Sequence, residues 1–305
     1  MNSPTSVTLT IAGQPVGLHA IQTGTIAVKT SHHTGCLPER SPLALRMAAI
    51  LADRSFAAPM PIWTFAIEHP DGVYVIDAGA TPEFNDDGSW ERDRRGARLV
   101  RSFLRIAVEP SQTLPAQLSA LGLDPAQVRA VILTHQHIDH TGAIPDLTGA
   151  TVWTTQAEDN AADRIGAFSW RWRDDHTAVR HLDREGTTEP GDPPAFRAGV
   201  TLTHDQALRA FHTPGHTPGS VTARLTTDQG HVWFTGDTSF TAEHLHPTAP
   251  TAGIHTDPQA VRALHHALAG QPLLLPSHDP DNPTRIRQAG QSPQATPSTP
   301  GPSPA

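Results

Sequence analysis

An apolar run, Val131-Ile132-Leu133, leads straight into Thr134-His135-Gln136-His137-Ile138-Asp139-His140-Thr141-Gly142. A buried strand that ends in a string of metal-ligating side chains leaves few folds open, because a rigid scaffold must present those side chains together. Side chains alternate along an extended chain. His135, His137 and Asp139 therefore start on one side, and the turn into Thr141-Gly142 is expected to bring His140 round to join them. Three imidazoles and one carboxylate within six residues make a poor solvent-facing surface. They make a good donor set for borderline-soft divalent ions such as Zn²⁺. A closed structural site takes four protein ligands and a catalytic one keeps a position for water, so this cluster has capacity beyond one structural ion.

Further ligands are expected at other strand ends. His216 lies in the Gly/Pro turn Thr213-Pro214-Gly215-His216-Thr217-Pro218-Gly219-Ser220, between two strand-like runs. Asp237 ends an apolar strand in Phe234-Thr235-Gly236-Asp237-Thr238, and His278 follows another in Leu275-Pro276-Ser277-His278-Asp279. The alternative is that these are ordinary polar loop residues.

Strand-like runs, rich in Val, Ile, Trp and Thr, are Val7–Ile11, Gly17–Ile21, Ile62–Glu68, Val73–Ile76, Ala130–Leu133, Thr151–Thr154, Ala210–Thr213, Ser220–Leu225, His231–Thr235 and Pro272–Leu275. Helices are expected at Leu43–Ala52, Ala97–Ile106, Leu114–Leu121, Gln156–Ile165 and Asp257–Ala269, the last with Asp257 as cap and Pro258 in the first turn. Interleaved helices around more numerous strands suggest an α/β layered sandwich. Residues 1–287 read as one domain. Residues 288–305, QAGQSPQATPSTPGPSPA, hold no large apolar side chain and read as a disordered Pro/Ser-rich tail.

Composition closes off other classes. With 22 Lys+Arg against 30 Asp+Glu, the net charge of −8 repels phosphate backbones, so no nucleic-acid partner is expected. Cys36 is the single cysteine, which excludes an internal disulfide. No apolar run reaches the roughly 18 residues of a membrane span. The start, MNSPTSVTLTIAG, lacks a basic region followed by an apolar core. The expectation is a cytoplasmic protein with no membrane partner.

Taken in order, HQHIDH, TPGHTPGS, FTGDTSF and LPSHD resemble the motifs of the metallo-β-lactamase superfamily, with Tyr74-Val75-Ile76-Asp77-Ala78-Gly79 similar to its first motif. The resemblance implies a four-layer αββα sandwich. It implies that His135, His137 and His216 hold one metal, that Asp139, His140 and His278 hold a second, and that Asp237 bridges them. Asp77 would support the ligands from behind. Two divalent ions are implied, Zn²⁺ first, with Mn²⁺, Co²⁺ or Fe²⁺ fitting the same donors. The implied chemistry is hydrolysis by a hydroxide lying between the metals, with Asp139 passing a proton to the leaving group.

Among branches of the superfamily, the chain is most similar to the quorum-quenching N-acyl-homoserine lactonases. The similarity lies in Pro59-Met60-Pro61-Ile62-Trp63-Thr64-Phe65-Ala66, the TPGHTPGS turn, Asp237-Thr238-Ser239-Phe240-Thr241-Ala242-Glu243 and Asp257-Pro258. A small-molecule lactone or ester substrate follows, and homodimers are common in that branch. The lactonase pattern places a Tyr three residues after the bridging Asp; Phe240 stands there and lacks the hydroxyl. This departure keeps other ester, thioester or organophosphate hydrolysis open. A non-catalytic or diiron redox protein is the reading from another class; diiron members usually carry a flavin domain and more acidic ligands.

Met47, in the Leu43–Leu51 stripe, and Trp170, in a Phe168/Trp170/Trp172 alternation read as a strand, are candidates for the substrate pocket together with Phe240. Core packing is the competing reading for each. Tyr74 reads as core. His32, His33, His265 and His266 read as exposed pairs, and His255 as a residue bordering the site.

Overall fold

The computed structural model describes residues 3–35, 37–85, 100–165, 167–190, 192–246, 249, 251 and 254–291. Two sheets form its centre. The first contains β1 (Thr5–Ile11), β2 (Gln14–Val28), β3 (Met60–His69), β4 (Gly72–Ile76), β5 (Leu104–Ala107), β6 (Val128–Ile132), β7 (Thr151–Thr154) and β8 (Val179–His181). Its order is β1-β2-β3-β4-β6-β7-β8, with β5 paired to β2. The second contains β9 (Gly199–Thr201), β10 (Leu208–His212), β11 (Val221–Thr227), β12 (Gly230–Gly236) and β13 (Leu273–Pro276), in the order β13-β12-β11-β10-β9.

The layers follow from which faces are apolar. In β6, Ala130 and Ile132 face the core between the sheets, where they join Leu18, Phe65, Leu208, Phe234 and Leu275. Val128 and Val131 face outward, beneath Leu114 and Leu118 of the helix Leu114–Ala120. A strand covered on both faces must be apolar on both, and in β6 the one exposed residue is Arg129. On the far side, Leu264 and Leu268 of the helix Pro258–Leu268 cover Phe211 and Trp233. The αββα sandwich expected from the sequence is the fold observed. Asp257 caps the covering helix as expected, its Oδ1 accepting from the backbone N–H groups of Gln259 and Ala260 at 3.1 and 3.0 Å.

Two expectations are corrected. The expected helix Ala97–Ile106 keeps a helical turn at residues 100–103, but Leu104–Ala107 is a strand, and residues 86–99 lie outside the described residues. Its residues pair antiparallel with Thr25–Val28, and this long-range pairing overrides the local helical preference. The tail does not begin at 288: a helix spans Asn282–Gln291, with Ile286 fully buried and Ala289 packed on the core. The helix is docked by Ile286, which precedes the segment read as disordered, and carries the first residues of that segment, with Ala289, onto the core. Residues 292–305 lie outside the described residues.

Candidate metal centre

Five strand ends meet at one end of the sandwich. Asp77 follows β4, the His135–His140 segment follows β6, His216 links β10 to β11, Asp237 follows β12 and His278 follows β13. Two backbone features aim them. Gly236 has φ +55°, and a Cβ there would meet the Thr134 Cβ at 2.6 Å; only glycine lets Asp237 turn in against the β6 loop. Asp77 is itself left-handed at φ +59°, a conformation Asp tolerates better than most residues. Its carboxylate accepts from the Thr134 N–H at 2.7 Å, the Thr134 hydroxyl at 2.8 Å and the His140 Nδ1–H at 2.7 Å. The backbone strain is thus held by three hydrogen bonds in the part of the chain that presents the ligands.

The extended alternation stops at His137. Ile138–Thr141 form a helical turn, with the His140 N–H on the His137 carbonyl. The turn separates the four donors into two groups instead of leaving them on one side, which corrects the reading of Asp139 from strand alternation but not the grouping implied by the resemblance. His135 Nε2 lies 2.8 Å from His137 Nδ1, and His216 Nε2 lies 3.2 Å from the same atom. Asp139 Oδ2 lies 3.4 Å from both His140 Nε2 and His278 Nε2. Asp237 stands between the groups. Its Oδ2 is 3.9 Å from His135 Nε2 and from His216 Nε2, while its Oδ1 is 3.5 Å from His140 Nε2 and 3.2 Å from His278 Nε2.

The outer ring nitrogens are already engaged. His278 Nδ1 donates to the Pro61 carbonyl at 2.9 Å and His140 Nδ1 to Asp77. The Thr134 hydroxyl gives its proton to Asp77, so it can accept from His135 Nδ1 at 3.2 Å. His216 Nδ1 faces His255 Nδ1 at 3.3 Å. Each such bond leaves a lone pair on the inward nitrogen, the form a metal requires. Inside the site, Asp139 Oδ2, His140 Nε2 and Asp237 Oδ1 are buried without a hydrogen-bond partner. Buried charges without partners are costly. The orphaned oxygens and nitrogens, the N/O donor chemistry and the two clusters of donors within 4.8 Å of one another fit divalent metal ions.

Protonation follows the same division. Burial, then the neighbouring His140, His137 and His216, hold His135 well below the usual imidazole range; burial and His137 do the same to His216. In the second group burial also disfavours the cation, but the Asp139, Asp77 and Asp237 carboxylates outweigh it and raise His140. Asp237 and Asp139 are pushed up by burial and pulled down further by His278 and His140.

A cavity of about 260 Å³ opens on this centre. Met47 and Phe240 line it, with Ile26, Val28, Met60, Phe103 and Leu104. Trp170 is not among its lining residues: Ser169–Arg171 form a 3₁₀ turn rather than the expected strand, and Trp170 packs behind the wall against the cluster that includes Phe240. Tyr74 is core, its hydroxyl on the Leu202 carbonyl at 3.1 Å. His265 is fully buried, its Nε2–H donating to the Thr238 carbonyl at 2.9 Å, and His32 lines the cavity. Neither is the exposed residue its pairing suggested. His255, buried against His216, does border the site.

Sequence reasoning missed Glu158. Its buried carboxylate accepts from the Gln136 N–H at 2.9 Å and the Gly219 N–H at 3.0 Å, tying the β6 loop to the His216 loop. A Cβ at Gly219 would run into Thr155 and Glu158, so this glycine permits the contact. No motif marks Glu158; it reads as one more polar residue in the first turn of the helix Gln156–Ile165.

The metallo-beta-lactamase superfamily profile matches residues 57–278. N-acyl homoserine lactonase AttM of Rhizobium radiobacter is 27% identical over 243 residues, 75% of this chain and 86% of the relative. An N-acyl homoserine lactone hydrolase solved with N-hexanoyl-L-homoserine at its catalytic metal centre superposes with a TM-score of 0.66 at 19% identity, covering 88% of this chain and 94% of that one. AidC, a dizinc quorum-quenching lactonase, superposes with a TM-score of 0.59 at 13% identity over 91% of each chain. Fold, ordered motifs and clustered ligands agree with the profile over most of the length, and the chain belongs to the metallo-beta-lactamase superfamily.

Proposed function

We propose that the chain is a dinuclear metal-dependent hydrolase that opens lactone rings, N-acyl-homoserine lactones first. The observation that carries the reading is Asp237, with one oxygen toward each of two ligand groups at the polar end of an apolar cavity. His135, His137 and His216 would hold one ion, Asp139, His140 and His278 the other, and Asp237 both. Two such ions, Zn²⁺ first, would supply Lewis acidity toward a carbonyl and a water acidified to about neutral pKa.

The chain's own groups do the rest. The apolar wall takes an acyl chain and excludes water from it. Ring opening breaks the acyl C–O bond and leaves an acid and an alcohol, so one proton must reach the departing oxygen. Asp139 lines the cavity, and we assign it the relay of that proton from the attacking water to the departing oxygen. The lactonase-named relatives support the substrate class.

Phe240 favours a second reading. It lines the cavity without a hydroxyl, so an ester, thioester or organophosphate substrate that needs no such donor also fits. The test is metal-loaded protein offered a short- and a long-chain N-acyl-homoserine lactone, an aryl ester and a phosphotriester, with His135→Ala alongside. Lactone turnover that disappears in the variant supports the first reading. Ester or phosphotriester turnover without lactone turnover selects the second. Metal analysis is expected to give two ions per chain, and a coloured redox-active diiron protein would overturn both.

A further inference from the structure

We infer that His32 is a substrate-binding residue, donating a hydrogen bond to a carbonyl oxygen of the bound acyl substrate; this rests on the hydrolase reading above. Five of the polar side chains around the cavity, His137, Asp139, His216, Asp237 and His278, belong to the ligand groups. The two threonines there spend their hydroxyls within the protein: Thr256 donates to the Gly215 carbonyl at 3.0 Å and Thr217 pairs with Ser220 at 2.8 Å. Among the described residues that leaves His32 as the polar group of this cavity not committed elsewhere.

Its placement is built. The turn Thr30–Thr34 is anchored by the Ser31 N–H on Asp53 Oδ2 at 2.8 Å and the His32 N–H on the Lys29 carbonyl at 2.9 Å. The ring stands edge-on to Phe240 at 5.5 Å, and Phe240 in turn lies 5.6 Å from His278. His32 therefore adjoins the polar end of the cavity, where a reacting carbonyl must sit. Nδ1 is buried with no hydrogen-bond partner, Nε2 is not among the buried unpartnered atoms, and the residue lines the cavity; we take Nε2 as the atom that faces it. Burial holds the imidazole at a pKa of about 4, so it is neutral near pH 7 and carries one N–H. The neutral ring can carry its proton on either nitrogen, and a carbonyl oxygen at Nε2 selects the Nε2–H form. The ring thus offers a donor across from Phe240, which has none.

The test compares wild type with His32→Ala, His32→Gln and His32→Phe, all metal-loaded, on N-hexanoyl-homoserine lactone and on an unsubstituted γ-lactone. Metal content, melting temperature and calorimetric binding of N-hexanoyl-homoserine are measured in parallel. His32→Ala is expected to keep its metals and its melting temperature. If the oxygen is the reacting one, kcat falls on the order of 10²-fold on both lactones. If it is the side-chain amide oxygen, KM and product affinity weaken on the order of tenfold for the acylated compounds only. His32→Gln is expected to recover much of the loss and His32→Phe none. Recovery by Phe but not Gln would show that the ring merely packs on Phe240, and an unchanged His32→Ala would likewise overturn the inference. A wild type that turns over esters but neither lactone would instead remove the lactonase reading, and the inference with it.

Discussion

Histidines and aspartates meet at both ends of this sandwich, and among the described residues the donors converge in the pattern of a metal centre at one of them. β3 connects them, with Pro61 near one end of the strand and His69 at the other. At the His69 end, Nε2 lies 2.9 Å from Asp205 Oδ2 and Nδ1 accepts from the Asp71 N–H at 3.1 Å. Both ring nitrogens are satisfied, and the Asp205 side chain is 35% exposed. At the Pro61 end the outer nitrogens are equally well held, but the inner ones point at each other and at a carboxylate that reaches both groups. The residue types are the same. What separates a metal centre from an ion pair is that the inward atoms converge, three of them buried with no hydrogen-bond partner.

Removing the convergence should have the largest effect. Asp237→Ala takes a ligand from both groups at once, and bound metal should fall below two per chain by elemental analysis. Turnover should fall at least about 10³-fold, as expected when several kcal/mol of transition-state stabilisation is lost. Retention of two ions with normal turnover would erase the distinction between the ends.

Acid should expose the difference in a graded way. His32 has a folded-state pKa lowered from 6.5 to about 4. Between those values the unfolded chain binds a proton there and the folded one does not, so stability must fall as pH drops through that window. The loss is at most about 3 kcal/mol at 1.36 kcal/mol per unit. Denaturant titrations of metal-free protein between pH 7 and pH 4 should show a steeper decline for wild type than for His32→Gln, and parallel curves would contradict this.

Asp77→Asn keeps the shape but removes the charge facing His140. Metal affinity should weaken about 10- to 100-fold, read by competition with a chromophoric chelator. Glu158→Gln should cost about 1–3 kcal/mol of stability in urea, because one of the two buried backbone N–H donors then faces the amide NH₂, itself a donor, in place of a carboxylate oxygen. Its metal affinity should change less than that of Asp77→Asn. At the opposite end, Asp205→Asn should change stability by no more than about 1 kcal/mol and leave metal content and turnover alone. A large effect there would mean the two ends are coupled.

Most of the centre was legible in the chain because its donors follow apolar strands, and strands have a readable period. His135, His137, Asp139, His140, His216, Asp237 and His278 all lie at one end. Strand alternation alone did not show how the donors divide, since that depends on a helical turn at Ile138–Thr141 that breaks the extended alternation; the division entered the sequence reading only through the resemblance of the motifs. Trp170 was misplaced for the converse reason: an alternation of aromatics looks the same in a strand and in a compact turn buried at one edge.

By itself, then, the sequence determined an α/β layered sandwich and the candidate donors, because both are written in local patterns of apolar period and residue type, while the four-layer αββα order was implied by the resemblance of its motifs. Only the tertiary structure decided that Leu104–Ala107 would be a strand, that the helix ending at Gln291 would dock, and that His32 and Glu158 would join the site. Those outcomes depend on what lies across from a residue, such as Thr25–Val28 for Leu104–Ala107 or Gly219 for Glu158. Contacts between residues far apart in the chain leave no period for local patterning to read.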